Sequence, residues 1–265
     1  MARANAATAA PRGAWGWAVT GIALGVLLAV VVFAPASWLA SSVFNATGGR
    51  VVLAAPRGTV WNGSAQLQLT GGAGSTDALA LPTRVDWRVR PRWNGFAASI
   101  GSECCTPAPV TLRVQPRWGG THLTVEDAHA QLPAALLAGL GTPWNTLQLD
   151  GNLLLAAQGL SVEWVEGRLS IAGQAELQAQ RVSSRLSTLR PMGSYRIILL
   201  GGDTPTLQLQ TLEGALQLSG AGQWVGSRLR FTGEATAAPE RAEALGNLLN
   251  IIGRRSGARS IITLG

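Results

Sequence analysis

Residues 14–33, AWGWAVTGIALGVLLAVVVF, constrain this chain more than any other stretch, and no charged residue lies between Gly13 and Gly49. Twenty helical residues at about 1.5 Å each span about 30 Å, the thickness of a bilayer's hydrocarbon core. The stretch has no polar face, so it does not read as the core helix of a water-soluble domain. Trp15 and Trp17 at one end and Trp38 at the other fall where amphipathic rings favour the membrane interface. Arg3 and Arg12 precede the stretch with no acidic residue to balance them, which keeps the N-terminus cytoplasmic. The competing reading is a cleaved signal peptide, with Ala34-Pro35-Ala36 as a loose cleavage pattern. Against it, a signal h-region runs to about 7–15 residues, and a proline between the two alanines is a poor cleavage context. The expected organisation is a cytoplasmic stub over 1–12, a transmembrane anchor and exit helix over 13–40, and a periplasmic β-rich domain over 41–265.

Beyond the anchor the pattern changes. Pro35 opens a short helical exit that Gly48-Gly49 closes. From residue 50 the apolar period is two. Gln66-Leu67-Gln68-Leu69 alternates strictly, and so does 84–90, with Val85, Trp87 and Val89 on one face and Arg84, Asp86, Arg88 and Arg90 on the other. Strands are expected at 50–55, 59–70, 84–90, 146–157, 160–165, 167–180, 194–200, 206–218, 223–234 and 260–264. Shorter alternating runs occur around residues 110–114 and 123–125, and Asn94-Gly95 marks a hairpin. Two short helices are expected, at 132–140 and from Pro239 to about residue 250, each with proline in its first turn. The fold class is therefore mainly β: one N-terminal transmembrane helix followed by a curled antiparallel sheet with two short helices. Pro-Ala-x-x-Leu-Ala occurs at 35–40 and again at 133–138, which suggests two similar halves, about 41–130 and 131–265.

The charge pattern narrows the partners. The chain has 21 arginines and no lysine, and its net charge is +7. Without Arg3 and Arg12, 19 basic and 14 acidic residues leave the exported part at about +5. A basic exterior suits membrane lipid or an acidic protein, and an exported domain does not meet nucleic acid. The absence of lysine excludes a P-loop, a Schiff base and a Ser–Lys dyad. Gly220–Gly226 has one residue too many for a dinucleotide fingerprint and reads as a hairpin turn. The two cysteines, Cys104 and Cys105, are adjacent. A vicinal disulfide, a buried pair of thiols and a link to another chain all stay open. Together with His122 and His129 they lack zinc-finger spacing, so no metal or other cofactor is expected. The carboxylate pairs Glu126-Asp127 and Glu163/Glu166 fall at strand ends, where solvated charge explains them. The arginine row Arg84, Arg88, Arg90 and Arg92, flanked by Trp87 and Trp93, is either the wet face of a strand or a site for lipid headgroups or an acidic partner.

A set of short motifs carries a family resemblance: Gly49-Arg-Val-Val-Leu53, Gly58-Thr-Val-Trp-Asn-Gly63, Leu212-Glu-Gly-Ala-Leu216, Gly222-Gln-Trp-Val-Gly-Ser-Arg-Leu229, and an ending that includes Gly253-Arg-Arg. In this order behind the apolar stretch, they resemble the type II secretion system protein N family over nearly the whole chain. The resemblance implies a single-pass inner-membrane protein of a Gram-negative cell with a periplasmic domain. Such a protein is an accessory part of the machine that exports folded proteins across the outer membrane. It implies no catalytic residues, and partners among the inner-membrane platform proteins or the secretin. The alternative from the residues alone is a membrane-anchored lipid-handling protein, whose curled sheet would cradle acyl chains in a β-groove.

Overall fold

The computed structural model describes residues 14–165, 168–226 and 228–265. The 1–12 stub with Arg3 and Arg12, and Glu166, lie outside the described residues. Helix α1 (Ala14–Val32) is followed by α2 (Ala36–Ala46). Then come β1 (Val51–Gly58), β2 (Asn62–Thr70), β3 (Ala78–Ala80), β4 (Val85–Arg92), β5 (Gly95–Ser102), β6 (Val110–Arg117), β7 (Gly120–Val125) and β8 (Ala128–Pro133). A 3-10 helix (Ala134–Leu140) and the single turn α3 (Trp144–Leu147) interrupt the strands. They resume as β9 (Leu149–Val165), β10 (Arg168–Ser184), β11 (Gly193–Gly202), β12 (Thr206–Gly214), β13 (Leu216–Val225) and β14 (Arg228–Ala237). A 3-10 turn (Pro239–Arg241), α4 (Ala242–Ile252), β15 (Arg254–Ser256) and β16 (Arg259–Leu264) complete the chain.

All the strands belong to one antiparallel sheet, mainly β and not closed into a barrel. Its order is β1-β2-β4-β5-β6-β7-β9-β10-β11-β12-β13-β14-β16-β15, with β3 added to β2 and β8 added to β9. Nearly every strand pairs with its sequence neighbour, so the sheet is a long meander. Its two faces differ sharply. Leu155, Leu177, Ile197, Leu209, Gly220, Gly233 and Ile262 stand in register across seven strands on one face. One residue along, Gln178, Arg196, Gln210, Ser219 and Glu234 stand in register on the other. The apolar row is the inner face, covered near one end of the strands by α4 and the 3-10 helix. Leu245, Leu248 and Leu249 of α4 are buried against Val182, Met192 and Leu216. Phe231 lies flat over Gly220 and Gly233, where a Cβ at either glycine would meet its ring. Two smaller clusters continue the core: Ala36, Ala65 and Trp87, and then Leu81, Cys105 and Leu136.

Several boundaries differ from the sequence reading, each for a local reason. The strands expected at 146–157 and 160–165 are one strand, β9. Gly159, at φ +55, absorbs a bulge in the pairing with β10 instead of ending the strand. The strand expected at 206–218 is two, because Gly214, at φ +121, turns the chain between β12 and β13. Gly220–Val225 is therefore part of β13, and of the expected turn residues only Gly226 lies beyond the strand. The helix expected at 132–140 begins at Ala134 and is 3-10, since Leu132 and Pro133 still pair with β9. The proline-initiated motifs behave alike: Pro35 and Pro133 are both extended, and Ala36 and Ala134 just after them are buried.

Strand β4 has the alternation expected of it. Trp87 is buried, Val85 and Val89 are half-buried, and Asp86, Arg88 and Arg90 are exposed. Trp87→Ala is expected to cost about 3–5 kcal/mol in a denaturant titration, the usual cost of emptying a buried aromatic site. Arg88→Ala, on the opposite face, should shift stability by under about 0.5 kcal/mol.

Candidate functional site

The site with the most specific geometry is the junction between α1 and the sheet. Alpha-helices leave their last four carbonyls without intrahelical partners. Here the β1–β2 turn supplies partners. Trp61 donates its indole N–H to the Val31 carbonyl at 2.7 Å. The backbone N–H of Val60 donates to the Ala34 carbonyl at 2.9 Å, and Pro35 forms a bridge with Thr59. The turn is itself held from below: the Trp87 indole N–H donates to the carbonyls of Val60 at 3.1 Å and Thr59 at 3.3 Å. The Val89 N–H donates to the Trp61 carbonyl at 2.7 Å, and the Trp61 ring packs against Phe96 at 6.2 Å. Gly63 has to be glycine, since a Cβ there would come within 2.7 Å of the Trp87 ring and 2.6 Å of the Arg57 carbonyl. Gly58-Thr-Val-Trp-Asn-Gly63 is thus a clip whose tryptophan holds the helix end, a role that the sequence reading did not assign.

Among the described residues, α1 is the one helix long and apolar enough to cross a membrane, with a mean hydropathy of 2.1 over Trp15–Val32. None of that window is buried against the sheet. Trp15 and Trp17 are exposed at its start, and Trp38 is exposed in the first turn of α2. The helix therefore leaves the sheet from the β1–β2 turn and touches it only at its last residues.

The remaining sequence candidates are dispersed. Cys104 and Cys105 are joined by a disulfide in the turn after β5, with Cys105 buried against Leu81 and Leu136. That turn is fixed by Cys105 N–H to the Ser102 carbonyl at 3.0 Å and Gln131 N–H to the Cys105 carbonyl at 2.7 Å. His129 borders the same surface hollow, whereas His122 sits on β7 with Nε2 3.2 Å from the Thr124 hydroxyl. Among the described residues, no group of three His, Cys, Asp or Glu side chains could hold a metal. Glu126 pairs with Arg113, and Asp127 accepts the Gly159 N–H at 3.0 Å. Glu163 lies opposite His122 on β9. The arginine row divides: Arg84 is turned inward to donate to the carbonyls of Ala55 at 2.8 Å and Ser64 at 3.0 Å, while Arg88, Arg90 and Arg92 are exposed.

The clip has a measurable consequence. Trp61→Phe keeps a ring against Phe96 but removes the donor to Val31. It is expected to lower stability by about 1 kcal/mol and to speed proteolysis between α1 and α2 in the full chain. Unchanged cleavage would mean that the indole bond does not hold the junction.

The family comparison agrees with this layout. A family described as type II secretion system (T2SS), protein N, matches residues 49–262, which runs from the start of the sheet into its last strand. No curated protein and no solved structure matches the chain. With most of its length matched, clip and sheet included, the chain belongs to the protein N family of the type II secretion system.

Proposed function

We propose that this secretion component is an accessory protein of the inner membrane. In this reading α1 is an uncleaved single-pass anchor, the N-terminus is cytoplasmic, and residues 41–265 act in the periplasm through non-catalytic contacts with other secretion components. The observation that carries the anchor reading is the clip. Cleavage after Ala36 would remove Val31 and Ala34, the two acceptors that the β1–β2 turn bonds. Ala36 itself is buried against Ala65 and Trp87, so the exit segment is part of the fold. The reading also draws on Arg3 and Arg12 for orientation. Partners are expected among the inner-membrane platform proteins or the secretin. Tethering raises the domain's effective concentration beside them.

The experiment is a gene deletion with localisation of the exported proteins. Folded substrates should accumulate in the periplasm, with their passage through the inner membrane intact. The domain expressed without its anchor should restore export less well than the full chain. Alkaline carbonate should leave the full chain in membranes. A soluble protein with a new N-terminus near Ser37 would establish the signal-peptide reading instead.

One observation favours the lipid-handling alternative. Between the sheet and the helices α3 and α4 lies a cavity of about 390 Å³, in the range of small-ligand sites. Leu153, Leu177, Ile197, Leu209, Leu248 and Ile252 line it. Tyr195 is the one hydroxyl in that lining, and among the described residues it has no hydrogen-bond partner. Burial pushes the Tyr195 phenol well above its ordinary range, so it stays a neutral donor. Mass spectrometry of the purified full chain should find phospholipid or fatty acid if this reading holds, and Tyr195→Phe should reduce the amount retained. Intact secretion with altered outer-membrane lipid in the deletion strain would favour the same reading.

A further inference from the structure

The antiparallel meander sends alternate turns to the same end of the sheet. The registers fix which ones. Gly58 pairs with Gly63 beside the β1–β2 turn, and Asn62 pairs with Arg88, so β4 climbs past that turn to its own hairpin at Trp93-Asn94. Phe96 pairs with Val114, which puts the β6–β7 hairpin at Trp118-Gly119 beside it. Gly120 pairs with Val165 and Thr206 with Gln223, which adds the ends of β9 and β13. This is also the end from which α1 leaves the sheet.

Tryptophan is concentrated there. Trp61, Trp93, Trp118, Trp164 and Trp224 each lie in or beside a turn at this end, five of the ten in the chain. Trp93 and Trp118 are fully exposed, at 101% and 102%. They occupy adjacent hairpins with one shared motif, Pro-Arg-Trp-x-Gly, at 91–95 and 116–120. A water-facing hairpin tip gains nothing from an unpacked indole. An indole and a guanidinium side by side suit the headgroup layer of an anionic bilayer, where the ring is half-immersed and the cation meets phosphate. The charges agree. Arg90, Arg92, Arg117, Arg228 and Arg230 stand exposed at this end, against an exposed Asp203 and a half-buried Glu163 among the described residues.

We propose that this end of the sheet is a membrane-binding rim, in which the paired Pro-Arg-Trp hairpins of Arg92-Trp93 and Arg117-Trp118 dip into the headgroups of an anionic phospholipid bilayer. The occupant is the bilayer because α1 leaves from the same end, through a clip that fixes its last carbonyls to the β1–β2 turn. Strand β4 runs four residues beyond the level of Asn62, about 13 Å at 3.3–3.4 Å per residue, so the hairpin tips project past that turn toward the membrane. The strands then stand on the membrane, with the helix-capped cavity at the far end.

The inference rests on reading α1 as the anchor, and the test separates the two. The full chain, carrying benzoylphenylalanine at position 94, is reconstituted into vesicles containing phosphatidylglycerol and phosphatidylethanolamine, floated and irradiated. A second variant carries the same group at Thr188, in an exposed turn at the far end. The expected result is a phospholipid adduct at position 94 at least tenfold above that at 188. Arg92→Gln with Arg117→Gln should lower the adduct several-fold, with thermal unfolding unchanged, and replacing phosphatidylglycerol by phosphatidylcholine should do the same. Protein that floats but gives equal yields at 94 and 188 overturns the rim and leaves the anchor standing, as would a protein–protein adduct at 94, which assigns the hairpins to a second copy. Protein that does not float overturns both.

Discussion

Antiparallel pairing between sequence neighbours is the constraint from which the rest of the molecule follows. In such a meander every second turn falls at the same end, and residues two apart share a face. The first rule gathers the β1–β2, β4–β5 and β6–β7 hairpins where α1 departs. It sends the 3-10 helix, α3 and α4, with the long connections, to the opposite end. The second rule makes one face a band of leucine, isoleucine and glycine and the other a band of glutamine, glutamate and arginine. A slip of one residue in any ladder would exchange the bands, so the burial of Leu153 and Tyr195 on the inner face helps to fix the register.

The way the core is finished explains why so few helices suffice. An open sheet with one apolar face needs a cover, and α2, the 3-10 helix and α4 each cover one stretch of it. Alpha4 is tied down at its end as well as along its face, since the buried Ser260 hydroxyl on β16 donates to the Leu249 carbonyl. Elsewhere on the inner face the strands supply their own cover. There Phe231 turns over Gly220 and Gly233, so one aromatic ring covers the backbone at both glycines.

Much of this was legible in the sequence where a single physical signal dominated. The length and charge-free character of 14–33 showed α1, Gly48-Gly49 showed the end of α2, and the alternation of Val85, Trp87 and Val89 showed which way β4 faces. Legibility failed where one residue type serves two purposes. Gly159 and Gly214 look alike in a sequence, but one absorbs a bulge within β9 and the other reverses the chain after β12. The decision lies with the neighbouring strand, not with the glycine. The clip was hidden for a related reason: Trp61 belongs to a pattern that any strand–turn could carry, and its partner Val31 is thirty residues away in the apolar stretch. Tyr195 was hidden because nothing local marks a hydroxyl that will find no partner among the described residues.

The two margins of the sheet have a consequence of a different kind. An open β-sheet is a template on which further strands can grow, and unprotected margins lead to fibres and unwanted pairing. Here one margin, β1, has α2 packed beside it. The other is the three-residue β15, all exposed, with Arg254 and Arg255 repelling any similar chain that approaches. Both margins are therefore poor templates for a further strand, and the width of the sheet is set by the chain that makes it. If α1 is the anchor proposed above, the protein meets its own copies often in the plane of a membrane, and a sheet of fixed width lets it crowd there without becoming a filament.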